Sequence, residues 1–188
     1  MRRAATALVL LFFATAMAQG GEVVKSSVKH RAGHYLIHMT MQIAAPAEFV
    51  YDHFTDFDRL QRVNNNILES EVLESRDGYH RLRVVSEGCA MLFCKRMVQT
   101  QEVREFQDGY IVATVVPEGS DFKSGTLVWH IRPDSEAGDG MTRVDFNADL
   151  EPDFWVPPVI GPWLVKRAFY TESKETLAGL EQSEPAAP

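Results

Sequence analysis

Between Tyr35 and Ile43 the chain alternates: Tyr35, Ile37, Met39, Met41 and Ile43 share one side, and His34, His38, Thr40 and Gln42 the other. A period of two predicts a strand with one face buried. The preceding "VVKSSVKHR" reads as extended and is turned back onto this strand by Gly33. Pro46 then suits the first turn of a helix, where its missing N–H is harmless. Val50, Phe54 and Phe57 follow at i, i+4 and i+7, with Phe49 and His53 alongside, which predicts a short amphipathic helix. Thr55 or Asp56 offers a cap for a second short helix, ended by Asn64, Asn65 and Asn66. From Ile67 to Leu150 about six extended runs succeed one another, with turns at Asp77-Gly78, Asp108-Gly109 and 137–140. Val144, Phe146, Ala148 and Leu150 face one way while Asp145, Asn147 and Asp149 face water, and Leu127, Trp129 and Ile131 also share a face. Such alternation predicts an antiparallel sheet covered on one side. The rhythm turns helical in "WLVKRAFYTESKETLAGLEQ", with Leu164, Ala168 and Thr171 on one row and Phe169, Thr176, Leu177 and Leu180 near another. That long C-terminal helix is the natural cover for the bare face. The fold class is therefore α+β: a curled antiparallel sheet wrapped around one long helix, with two short helices early in the chain.

The first residues stand apart from this pattern. Arg2 and Arg3, an apolar run from Ala4 to about Ala16, and Ala16-Met17-Ala18 read as a secretory signal cleaved after Ala18. The run is short for a membrane span, which needs roughly 20 apolar residues, although an uncleaved anchor is the alternative. Residues 19–182 then form one domain, large enough to bury a good core, and 183–188 read as a disordered tail. The expected setting is export, periplasmic first and secreted second. Loss of Arg2 and Arg3 takes the net charge from −7 to −9, which argues against nucleic acid or an anionic membrane as a charge-driven partner. Two cysteines occur, Cys89 and Cys94, and an even pair in an oxidising compartment reads as a disulfide. Five residues of flat strand span about 16 Å, whereas bridged Cα atoms lie within about 7 Å. A bridge thus requires a turn or bulge, which Gly88 eases; two free thiols are the alternative.

The stretch "IAAPAEFVYDHFTDFDRL" carries a further pattern: Ile43, Ala45-Pro46, Glu48, Val50-Tyr51, Phe54, Thr55-Asp56-Phe57 and Leu60. Together with the element order it resembles the START-like (SRPBCC) superfamily of polyketide cyclase/dehydrase, lipid-transport and coenzyme-Q-binding proteins. The resemblance implies a helix-grip fold with a cavity between the curled sheet and the long helix. It also implies a hydrophobic small molecule, a lipid, quinone or polyketide, as partner, with or without chemistry.

Candidate pocket residues are Met39, Met41, Phe54, Met91, Met97, Trp129, Phe146 and Leu164. Methionine adapts its shape to variable apolar chains, and ordinary core packing is the alternative for each. Tyr51, His130 and Arg167 are candidates to orient a head group, Tyr51 and Arg167 within the cavity set. In "EPDFWVPPVIGPW", Phe154, Trp155, Val156, Val159, Ile160 and Trp163 lie in a segment broken by prolines, too apolar for a solvated turn. It is expected to form a lid over the pocket mouth, with a packed loop or a transient membrane contact as alternatives. Metal binding by His30, His34 and His38 would need them to converge and be backed by a carboxylate, and exposed strand histidines are preferred. His53 beside Asp52 and Asp56 fits a helix flank as well as acid–base work. Asp145, Asp149, Glu151 and Asp153 read as a solvated face and its following turn. Neither Gly-x-Ser-x-Gly, a P-loop nor a dinucleotide glycine pattern occurs. No cofactor, metal or catalytic residue is assigned. The expected activity is binding or transport, with a cyclase, dehydratase or hydrolase in the same cavity as one rival. The other is an envelope docking module that uses the Phe154–Trp163 loop.

Overall fold

A computed structural model describes residues 21–90, 93–157 and 160–183. The expected signal, Met91, Val159 and residues 184–188 lie outside the described residues. The strands are β1 (Glu22–Arg31), β2 (His34–Ile43), β3 (Ile67–Arg76), β4 (Tyr79–Ala90), β5 (Phe93–Glu105), β6 (Tyr110–Val116), β7 (Phe122–Pro133) and β8 (Thr142–Pro152). They form one antiparallel sheet in the order β1-β2-β8-β7-β6-β5-β4-β3. Helix α1 (Ala47–Thr55) and a 3₁₀ helix (Phe57–Arg62) follow β2, and α2 (Gly161–Ser183) follows β8.

The alternation of β2 fixes which way the sheet curls. Tyr35, Ile37, Met39, Met41 and Ile43 are all buried on the concave side. On the convex side a polar ladder joins β2 to β8: His34 Nδ1 lies 2.8 Å from Asp149, His38 Nδ1 2.7 Å from Asn147, and Thr40 donates to Asp145 at 2.7 Å. Burial alone would raise the Asp145 carboxyl, but Thr40, Arg143 and Arg132 hold it below its ordinary value. One strand therefore reads both environments, as a sheet covered on one face must.

The open edges of the curl, β1 and β3, do not meet. Helix α2 lies in the gap, packed against β1 and β2 on one side and β4 on the other, and it also touches the 3₁₀ helix. At Gly179 the backbones come close: an added Cβ would lie 2.8 Å from Val63 O and 2.9 Å from Arg62 O. Helix α1 sits across β7 and β8. Its Val50, with Phe57 of the 3₁₀ helix, is buried in the core. The hairpin glycines Gly33, Gly78 and Gly109 have φ of +88°, +63° and +78°, the left-handed region that favours glycine.

Cys89 and Cys94 face each other across β4 and β5 and are joined in a disulfide, with their Cα atoms 4.1 Å apart. The antiparallel register through Ala90↔Phe93 supplies the reversal that a bridge over five residues demands.

Candidate functional site: a cavity between sheet and helix

The concave face is not filled. A cavity of about 550 Å³ lies between the sheet, α2 and the short helices. Its sheet wall comes from strands β2 to β8, β3 by Ile67 alone, and its helical wall includes residues of α2 that recur three and four apart: Val165, Ala168, Phe169, Glu172, Ser173 and Thr176. That spacing is the inward face of a helix. Trp129 and Phe146 meet at a tilt with ring centres 5.1 Å apart, and Phe146 stacks on Phe169 of α2 at 6.1 Å, so an aromatic row links sheet and helix along the wall.

Met39, Met41, Phe54, Met97, Trp129, Phe146 and Leu164 all line this cavity. Met39 also accepts a hydrogen bond at its sulfur from Ser173 Oγ, 3.4 Å away. Tyr51, Arg167 and His130 require correction, because none of them lines it. Tyr51 lies one residue beyond Val50, about 100° around α1, and points to the end of the sheet. There its hydroxyl donates to Glu105 Oε2 at 2.8 Å, and His80 Nε2 lies 3.1 Å from the other oxygen. Burial, aided by that acceptor, pushes the Tyr51 phenol up to about 12. Arg167 is one step off the inward row of α2, and its guanidinium lies 5.7 Å from the Trp163 ring centre. His130 stacks on Tyr110 at 3.9 Å on the convex face.

The segment after β8 divides in the same way. Phe154, Trp155, Val156 and Pro157 line the cavity at its rim. Phe154 is wedged between Phe122, edge-on at 6.0 Å, and Lys95 Nζ, 5.1 Å over its ring. Trp155 remains 78% exposed. Ile160 and Trp163, 46% and 48% exposed, do not reach the cavity; the first turn of α2 carries them away from it.

The histidines do not converge. His30 packs at a tilt on Tyr35, ring centres 4.6 Å apart, and His34 and His38 bond separate β8 partners. His53 bonds Phe49 O at 2.8 Å and packs on the Phe49 ring, not on a carboxylate. Among the described residues the one set of ligand atoms close enough for a metal is Glu87 with Cys89 and Cys94. Both sulfurs there are already consumed by the disulfide.

Sequence reasoning passed over the polar residues that face inward. Glu172 projects from α2 towards β4, with one carboxylate oxygen 3.8 Å from where a Cβ on Gly88 would stand. Its side chain is half-buried and lines the cavity. Burial pushes its carboxyl from 4.5 up to about 7. Gln99 and Gln101 of β5 also line the cavity and bond each other at 3.2 Å. One signal was available: positions 168, 169, 175 and 176 around Glu172 are Ala, Phe, Glu and Thr. None is a cation that would explain an exposed helical glutamate through an i,i+4 pair.

A family model described as polyketide cyclase / dehydrase and lipid transport matches residues 36–183. The chain belongs to this family. Its fold recurs in a START superfamily protein from Mycobacterium smegmatis, at TM-score 0.66 and 20% identity over 81% of this chain and 100% of that one. The Zhui aromatase/cyclase from Streptomyces sp. R1128 aligns at TM-score 0.65 and 14% identity, over 81% and 97%. A STAR-related lipid transfer protein from Xanthomonas axonopodis aligns at 0.58 and 14%, over 87% and 100%. At these identities the likeness is one of fold. No curated protein sequence matches the chain. Family and fold together suggest a hydrophobic-ligand-binding or cyclase-like protein built on the helix-grip architecture.

Proposed function

We propose that this family member is an exported carrier that holds a hydrophobic small molecule, a lipid, quinone or polyketide-like compound, without changing it. The observation that carries this reading is the cavity of about 550 Å³ with its apolar lining, within the range of small-molecule sites, roughly 300–1,000 Å³. Each methylene buried there contributes about 0.8 kcal/mol. The titratable side chains lining it are Tyr35, Lys95 and Glu172. Among the described residues no hydrogen bond or ion pair joins any two of them: Lys95 is 4.0 Å from Asp121, and the Tyr35 hydroxyl lies beside Gly161. Acid–base chemistry needs such a pair or a substrate held against one member. Met39, Met41, Met97, Trp129, Phe146 and Leu164 form the binding wall in this reading, and Phe154, Trp155 and Val156 the lid.

Export is supported by the Arg2-Arg3 start, the short apolar run and Ala16-Met17-Ala18. An exposed disulfide persists best in an oxidising compartment. An intact mass beginning at Gln19 in protein taken from its own envelope or medium is the expected result.

One observation favours a second reading. A carboxyl held near 7 is poised to take and return a proton at neutral pH, so a cyclase or dehydratase using Glu172 is the rival. Titration with a neutral apolar fluorophore, N-phenyl-1-naphthylamine, tests the carrier. It binds the purified protein, Ala168→Phe in the cavity wall weakens binding at least about tenfold, and compounds recovered after incubation are unaltered. Failure to bind the fluorophore contradicts the carrier; a changed mass in the recovered compound supports the enzyme.

A further inference from the structure

Glu172 lies in the middle of α2 (Gly161–Ser183), too far from the helix N-terminus for the helix dipole to stabilise its charge. Its backbone carbonyl is well served, by Thr176 Oγ1 at 3.0 Å and Asn64 Nδ2 at 3.4 Å. Its carboxylate is not: among the described residues it has no hydrogen-bond donor and no ion-pair partner. The facing groups are Gly88 and Ser86 on β4, Gln99 and Gln101 on β5, and Asn64 after the 3₁₀ helix. None of these carries charge. Lys95, the cation at the rim, is engaged with Asp121 and the Phe154 ring, and Tyr35 faces the start of α2.

An enclosed carboxyl without a partner is costly to retain, and simple packing would be served better by leucine. We infer that Glu172 is the polar anchor of the cavity, and that the ligand is an apolar body bearing a hydrogen-bond donor, a hydroxyl or an amine, held inside the cavity rather than at its mouth. The inference rests on the carrier reading and adds a selection rule. A donor group meets the carboxyl oxygens directly, and an amine gains a charge-assisted bond. A ligand headed by a carboxylate instead meets a like charge in a poorly screened space and is rejected. Gln99 and Gln101 offer uncharged donors and acceptors to a second polar group on the same ligand.

The test uses the mature protein with bound N-phenyl-1-naphthylamine, displaced in turn by dodecylamine, 1-dodecanol and dodecanoate at about pH 6 and about pH 8. In the wild type at the higher pH, the amine and the alcohol displace the fluorophore at concentrations about tenfold or more below the carboxylate. The amine-to-carboxylate ratio widens as pH rises and Glu172 ionises. In Glu172→Gln that pH dependence shrinks to what the compounds' own titration contributes and the ratio contracts by about tenfold, and in Glu172→Leu the alcohol loses its advantage as well. Equal displacement by all three compounds in the wild type, or an unchanged ratio in Glu172→Gln, overturns the anchor while leaving the carrier standing. If neither the fluorophore nor any of the three compounds binds, the carrier fails and the anchor fails with it. Should the variants fold poorly, dodecyltrimethylammonium, whose charge is fixed, is compared with 1-dodecanol on the wild type at the two pH values: an anchor that ionises strengthens the cation relative to the alcohol as pH rises, and an unchanged ratio overturns the anchor.

Discussion

The isosteric change Glu172→Gln has a stability consequence with a definite sign. The carboxyl titrates at 4.5 in an ordinary setting and near 7 in the folded protein, because burial disfavours its charge. Below about pH 4.5 it is protonated in both folded and unfolded chains. Between pH 4.5 and 7 the unfolded chain gives up the proton while the native chain keeps it, so the native state binds more protons and stability falls as pH rises. Above about pH 7 both are ionised and the loss is complete. At about 1.36 kcal/mol per pKa unit, the full loss is roughly 3 kcal/mol, with water in the cavity reducing it towards 1 to 2. Glutamine does not titrate, so the variant lacks this component. Urea unfolding of ligand-free wild type and variant, followed by tryptophan fluorescence from about pH 4.5 to 8.5, isolates it, since other titrating groups cancel in the difference. The wild type is expected to lose ground to the variant steadily up to about pH 7 and then hold level. Parallel stability curves would refute the enclosure of Glu172, and a wild type that gains on the variant as pH rises would mean a hidden cationic partner.

Four further changes probe the disulfide, the helix contact, the sheet end and the rim of the cavity. Replacing Cys89 and Cys94 by serine releases a six-residue loop, and chain entropy predicts a loss of about 2 kcal/mol in urea unfolding with the sheet retained. Gly179→Ala places a Cβ under 3.0 Å from two backbone oxygens of the 3₁₀ helix and its exit; α2 must shift, at about 1–3 kcal/mol, despite the better helix propensity of alanine. Tyr51→Phe removes the bond to Glu105 and costs about 1 kcal/mol, but leaves fluorophore affinity unchanged because Tyr51 lies off the cavity. Trp155→Ala, at a side chain 78% exposed, changes stability by less than about 0.5 kcal/mol. Stopped-flow dilution of the bound fluorophore should nevertheless show faster release, and an unchanged rate sinks the lid.

The framework was legible because each element repeats one physical statement many times. Five alternating buried positions from Tyr35 to Ile43, an Asp-Gly at two hairpins, and Pro46 opening α1 all agree with one another, and such agreement specifies a fold. The cavity wall was legible in part: Met39, Met97 and Phe146 sit on faces that alternation marks as inward, though a filled core would mark them alike. What alternation hides is an inward polar residue. Gln99 and Gln101 share the concave face with Met97 and Val103, yet polar strand residues read as outward-facing. Glu172 sits among polar neighbours on a helix whose Lys166, Arg167 and Lys174 are exposed. Tyr51 and Arg167 failed for the converse reason: each lies a single residue from an inward position, Val50 and Ala168, and a helix turns about 100° per residue. Whether a concave face is full or hollow depends on how far α2 stands from β4 and β5, and no local pattern encodes that distance.

Carriage of a small molecule is tested most directly by native mass spectrometry of the mature protein purified gently from its own source, followed by solvent extraction of what it carries. The expected result is a discrete added mass that resolves, after extraction, to an apolar compound bearing a hydroxyl or amine, released in unaltered form. A bare protein mass, together with no uptake of added apolar compounds, would contradict the carrier and leave the cavity to catalysis or to docking.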